Sequence, residues 1–229
     1  MSKVTLTRVE ALFYSPLIFF QISDCEALNR QLLEETDAMR ARSLGATKSN
    51  KKGWQSDADF FRRTEPGCTK LRKHIVEAIV EATKRLSPNF DFKSNEPQME
   101  GWINVNPPGA FNAPHTHPGS ALSGTYYVSI PPDSASIAPD AKSGTFEFID
   151  PRVNAGSLSI EGATCFDPGV FVKPKEGLMI IFPSYLRHWV YPNEEESERV
   201  SIAFNIRYLK RGEASAPAGA RSGADPDRG

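Results

Sequence analysis

Three of the four histidines of this 229-residue chain carry its strongest chemical signal: His115 and His117 stand two apart, and His188 follows far downstream. Residues two apart in an extended strand face the same way, so His115 and His117 can present two imidazoles to one metal ion. Imidazole is the commonest side-chain metal ligand, and a ring from His188 would complete a three-sided set. Each part also has a plainer reading. His115 and His117 sit in a proline-rich stretch, Ala113 to Pro118. His188, between the runs Leu178 to Phe182 and Trp189 to Tyr191, is equally placed to be a core histidine bonded to a main-chain carbonyl.

Eleven residues beyond His188 the chain reads Arg199, Val200, Ser201, Ile202, Ala203, Phe204, Asn205, Ile206. Strand alternation puts Arg199, Ser201, Ala203 and Asn205 on one face and the four large apolar residues on the other. If the apolar face packs on other elements, Arg199 and Ser201 point into the interior, where an unpaired guanidinium is costly. The alternative is a surface pairing of Arg199 with the acidic run Glu194 to Glu198. An inward Arg199 with a neighbouring hydroxyl suits a ligand carboxylate, gripped by the guanidinium fork beside the metal.

The elements that must hold these residues fall into two halves. From Met99 onward short apolar or alternating runs recur between Gly, Pro and Asn: Trp102 to Asn106, Leu122 to Ile130, Gly144 to Ile149, Ser157 to Glu161, Gly169 to Val172, Gly177 to Phe182, His188 to Tyr191 and Arg199 to Leu209. About eight strands without intervening helices predict a jelly-roll barrel. Before Met99, Val4 to Ile22 reads as one strand or two short ones broken at Pro16. Ser23 with Glu26 forms a capping-box signature for a helix carrying Leu28, Leu32, Thr36 and Met39. A second helix follows Gly67 with Leu71, Ile75, Ile79, Ala82 and Leu86 on one stripe, closed by Pro88. Ser43 to Pro66 reads as a loop, with Trp54 and Gln55 as a lid or, for Trp54, a packing anchor. The expected organisation is one mainly β domain over residues 1–211, with an N-terminal strand and buttressing helices in 1–98, a barrel core in 99–211 and a disordered tail in 212–229.

At this level of detail the chain resembles the 2-oxoglutarate and Fe(II)-dependent dioxygenases, within them a prolyl-hydroxylase-like group of oxygenases. The resemblance rests on HTHPGSALSGTYYV, GTFEFIDPR, GLMIIFPSYLRHWVYP and ERVSIAFN, in that order over about residues 99–209, with GWQS at Gly53 to Ser56. It implies a double-stranded β-helix, a cupin-like barrel, with Fe(II) held by His115, His117 and His188. It further implies 2-oxoglutarate held by Arg199 and Ser201 with help from Tyr127, and a hydroxylase-type oxidation that turns the keto acid into succinate and CO2. Asn104 or Asn106, on the strand entering the site, are expected as secondary contacts. The usual second ligand in such enzymes is Asp or Glu, whereas this chain has His117. A third imidazole leaves the metal one formal charge more positive and bears on which metal binds and whether hydroxylation, another oxidation or no turnover follows.

Two other readings stand beside this one. Gly109 followed by His115 and His117 matches the start of a cupin pattern, but Ala121 and Leu122 stand where that pattern wants Glu. A non-catalytic barrel that binds metal or keto acid without turnover is the other. Composition narrows the partners: 39% hydrophobic and 24% charged residues are ordinary for a globular protein, and a net charge of -1 offers nucleic acid no general attraction. Cys25, Cys68 and Cys165 are odd in number with no paired spacing, which fits a reducing cytoplasm. The apolar run near Leu17 to Ile22 is too short to span a bilayer. The expected partners are dioxygen and a peptide or small-molecule substrate, with the apolar N-terminal strand offering an edge for a homodimer.

Overall fold

The computed structural model describes residues 4–46, 48–131, 142–152 and 160–212. Among these residues eleven strands fall into two sheets. A six-stranded sheet runs β1 (Ile18–Gln21), β9 (Leu178–Pro183), β6 (Leu122–Ser129), β11 (Arg199–Lys210), β4 (Asn95–Asn106), β3 (Trp54–Gln55). A five-stranded sheet runs β2 (Asn50–Lys51), β5 (Phe111–His115), β10 (His188–Val190), β7 (Phe146–Ile149), β8 (Gly169–Val172). Both line one interior cleft, as in a double-stranded β-helix.

The alternation of β11 is realised as its sequence predicts. Val200, Ile202, Phe204 and Ile206 lie in an outer core with Ile103, Val105, Tyr126 and Met179 from the same sheet. Against them pack Leu32 and Met39 of α1 (Glu26–Arg40) and Leu71, Ile75 and Ile79 of α2 (Pro66–Leu86). Each such side chain contributes about 1.5–3 kcal/mol by leaving water, so the helices clamp β11 and turn its other face inward. A second apolar cluster, Phe146, Phe148, Val172, Leu178, Ile180, Phe182, Leu186 and Val190, fills one side of the barrel. Gly124 of β6 packs where a Cβ would come within 2.4 Å of the Phe204 ring and 2.8 Å of the Ile180 carbonyl oxygen, so only glycine lets these layers close.

Several expectations are corrected. Only Ile18–Gln21 of the N-terminal stretch is a strand; Val4, Leu6, Val9, Leu12, Phe13 and Tyr14 are exposed and pair with no sheet. The capping box does not form: Asp24 takes a left-handed conformation (φ 51°), which turns Ser23 away and leaves Cys25 at the helix start without a side-chain cap. The first turn of α2 is capped from a distance, because the Glu35 carboxylate of α1 accepts from the Gly67 and Cys68 N–H groups at 2.7 and 3.0 Å. The stretch read as a loop holds β2, β3 and a short 3-10 turn, Phe60–Arg62. The strand expected at Ser157 to Glu161 falls mostly outside the described residues, as does the tail beyond Gly212. Among the described residues no helix is long and apolar enough to cross a membrane.

Candidate metal centre and anion cleft

His115 closes β5 and His188 opens β10, and the two are register partners in the five-stranded sheet. His117 lies beyond the strand, held by its own N–H donating to the Ser184 carbonyl at 3.1 Å. The strand therefore ends before the second histidine, because Pro118 and Gly119 turn the chain there, and the two rings meet edge to face at 4.9 Å instead of side by side. The three rings still converge: His115 and His188 lie 4.5 Å apart and His117 and His188 5.2 Å apart between centroids. One ligand nitrogen from each lies within 4.8 Å of the others.

Local carbonyls orient two of the rings. His115 Nδ1 meets the Ala113 carbonyl at 2.7 Å, and His188 Nδ1 meets the Leu186 carbonyl at 2.8 Å. With the proton spent on those bonds, both Nε2 atoms are bare, as metal ligation requires. His188 is stacked on Phe146 at 5.1 Å and flanked by Phe148 and Phe182, which exclude water from its side of the site. Burial pushes all three imidazoles below the ordinary 6.5, His117 to about 4 and His188 to about 3, with His115 adding repulsion at both. The rings are neutral at neutral pH and free to bind a cation.

That burial has a consequence for stability. Below pH 6.5 the unfolded chain takes up protons that the folded histidines refuse, so the metal-free protein is expected to lose stability as pH falls from about 6.5 towards 3, with nothing lost above that window. At about 1.4 kcal/mol per pH unit and per group, the loss reaches several kcal/mol. Thermal melts of metal-free protein check it, and a flat Tm from pH 6.5 to 4 would contradict neutral burial.

Arg199 is 2% exposed and meets no carboxylate among the described residues. The acidic run does not reach it, since Glu198 is taken by Arg40 of α1 in two bonds of 2.7 and 2.9 Å. One guanidinium nitrogen of Arg199 donates to Ser201 Oγ at 3.2 Å, its carbon lies 5.1 Å from the Tyr127 ring centre, and its Nε has no partner among the described residues. Burial pulls Arg199 down from its usual value and pushes the Tyr127 hydroxyl up to about 12, despite the nearby cation. That hydroxyl and Asn106 Oδ1 are also buried without partners among the described residues. A buried cation beside orphaned polar atoms leaves an electrostatic gap that an anion fills.

One cleft joins the histidines to Arg199 and Ser201, with Asn104, Asn112, Trp102, Thr125 and Phe146 also on its walls. It is tight, with about 30 Å³ of space for water. Of the residues expected around the keto acid, Asn104 lines this cleft and Tyr127 and Asn106 do not: the Tyr127 ring packs on the Arg199 guanidinium, and Asn106, the register partner of Arg199, donates to Asn112 Oδ1 at 3.3 Å. Trp54 is no lid: it is half-buried on β3, packed on the outer core, with its indole N–H donating to the Ser43 carbonyl at 3.0 Å. Trp102, whose ring lies 5.7 Å from His117, was not anticipated, although the alternation that selects Asn104 and Asn106 places it on the same face. A larger hollow of about 420 Å³ lies elsewhere, between Glu10 to Ser15 and the β7–β8 edge, and holds none of the three histidines.

Residues 100–205, nearly the whole span of this cleft, match the family described as "Putative 2OG-Fe(II) oxygenase". Over that stretch the chain is similar to the 2OG-Fe(II) oxygenases. The three imidazoles and the unpaired Arg199 fit the Fe(II) and 2-oxoglutarate of that family's description, a cation and a dicarboxylate side by side. Solved structures share the fold. A Pseudomonas putida prolyl-4-hydroxylase is 17% identical, covering 86% of this chain and 93% of its own, with a TM-score of 0.57. A Trichoplax adhaerens prolyl hydroxylase, solved with a hypoxia inducible factor peptide fragment, is 12% identical over 83% and 82% of the two chains, with a TM-score of 0.58. HygX from Streptomyces hygroscopicus, solved with nickel and 2-oxoglutarate, is 11% identical over 86% and 84%, with a TM-score of 0.54. No curated protein matches the chain by sequence.

Proposed function

We propose that this protein is a 2-oxoglutarate-dependent dioxygenase that oxidises a C–H bond of a peptide or small-molecule substrate, with succinate and CO2 as co-products. Fe(II) with 2-oxoglutarate and dioxygen supplies the oxidising power, one oxygen atom going to succinate and the other to the substrate. His115, His117 and His188 hold the metal through neutral rings. Arg199 grips the far carboxylate of the keto acid, with the Ser201 hydroxyl beside it and the Tyr127 ring packed on the guanidinium. Asn104 and Trp102 face the same cleft and orient what lies in it. Phe146, Phe148 and Phe182 keep water from the His188 side.

The observation that carries this reading is the uncompensated Arg199 in the same cleft as three converging imidazoles. A peptide substrate is supported by the prolyl hydroxylase relatives, one of them solved with a peptide fragment. Free Cys25, Cys68 and Cys165 support a reducing, cytoplasmic setting. One observation favours a second reading, a metal-binding barrel without turnover: His117 stands where the family's carboxylate ligand is expected. Anaerobic titration of metal-free protein with Fe(II) and then 2-oxoglutarate separates the two. The expected result is a visible charge-transfer band on adding the keto acid; bound iron with no band would favour the second reading.

A further inference from the structure

Two of the three histidines obey one rule and the third breaks it. His115 and His188 give their Nδ1 protons to main-chain carbonyls and turn bare Nε2 atoms to the centre. His117 Nδ1 instead lies 3.4 Å from Asn205 Nδ2, an amide N–H2 group and not an acceptor. The orientation of that amide is fixed from outside. Glu100 Oε1, which only accepts when ionised, lies 3.0 Å from the same Nδ2, and Ser123 Oγ donates to Asn205 Oδ1 at 2.8 Å. With one amide hydrogen on Glu100 and the other on His117, the His117 Nδ1 must be bare, and its proton sits on Nε2.

For His117 to ligate through Nε2 as its neighbours do, the proton must move to Nδ1 and find an acceptor. Turning the Asn205 amide over provides one. Oδ1 then faces His117, and Nδ2 faces Ser123 Oγ, which can accept while donating to Ser184 Oγ, 3.0 Å away. The same turn brings Oδ1 against the Glu100 carboxylate, acceptor to acceptor. We propose that Asn205 is the positioning residue that sets the tautomer of His117, and that Glu100, acting through it, weakens metal binding at the three-histidine centre. The proposal rests on the reading of His115, His117 and His188 as the metal site. Glu100 is exposed at the barrel mouth, in a groove it shares with Gln98, Asn205 and Arg207, so the group holding the amide is within reach of solvent and of whatever enters there.

The sign of this effect separates it from a merely structural one. If Glu100 only braced the site, removing its charge would loosen metal binding. Here Glu100→Gln, which offers an N–H to the turned amide, and Glu100→Ala, which removes the acceptor, should both tighten it, by roughly tenfold for one hydrogen bond to a charged group. Cobalt(II) titration of the full chain reads the affinity, and nitrogen NMR of the histidine side chains reads the tautomer. His117 should carry its proton on Nε2 in metal-free wild type and on Nδ1 with zinc bound. Equal or weaker cobalt affinity in both Glu100 variants, or an Nδ1 proton already present without metal, would overturn the inference alone. Wild-type protein that binds no cobalt, or binds it equally well in His188→Leu, would overturn the metal-site reading and this inference with it.

Discussion

Arg199→Ala protein should hold Fe(II) as the wild type does and fail to retain 2-oxoglutarate. Arg199 is fully buried with one neutral hydrogen bond, to Ser201, and no anion among the described residues. A desolvated charge pair contributes 2–5 kcal/mol when one partner is removed, about a 30-fold to several-thousand-fold loss of keto-acid affinity. The fold should survive the change. The substitution removes an unpaired buried charge that lies beside Ser201, the Tyr127 ring and Gly144. Arg199→Lys keeps a charge but loses the planar fork, and should bind 2-oxoglutarate with intermediate affinity. Calorimetric titration of iron-loaded protein with 2-oxoglutarate under nitrogen decides the matter. Unchanged affinity in Arg199→Ala would remove Arg199 from the keto-acid site and leave the buried cation unexplained.

The features legible in the sequence are those whose pattern repeats over many residues. Strand β11 is readable because its residues alternate from Arg199 to Tyr208, and α2 because Leu71, Ile75 and Ile79 recur at helical spacing. The inward face of Arg199 and Ser201 follows from that alternation without any knowledge of the fold. Strands β2 and β3 are two residues long and carry no period, so only their pairing with β5 and β4 reveals them. Strand β5 contains Pro114, which removes a ladder donor and disguises the segment as loop. It is tolerated because β2 pairs only Phe111 and Asn112, and the ladder to β10 is irregular between Asn112 and His115. The absence of a carboxylate for Arg199 could not be read locally, since Glu198 stands next to it in sequence and is claimed by Arg40, 158 residues away. Glu100 and Asn205 lie 105 residues apart, and nothing short of the β4–β11 register, which makes them direct partners, links them.

The same register logic makes His188 the ligand whose loss should be most complete. His115 and His188 face each other across one rung of the β5–β10 ladder, so their relative position is set by main-chain hydrogen bonds, while His117 hangs from a turn. His188 is also the most buried of the three, at 3% exposure, with its Nδ1 tied to Leu186 and its ring on Phe146. His188→Ala would leave a hole among three phenylalanines and cost a few kcal/mol of stability by that route alone, which confuses lost metal with lost fold. His188→Leu fills the space with an apolar side chain and removes the nitrogen. The His188→Leu protein should melt as metal-free wild type does at neutral pH and bind Fe(II) at least about 100-fold more weakly, beyond the range seen when only a supporting group is changed. Iron stoichiometry after desalting, read beside the melt, is the measurement. A folded His188→Leu protein still holding one iron would mean that the third ligand lies elsewhere, and that His188 is the neutral core histidine its apolar neighbours allow.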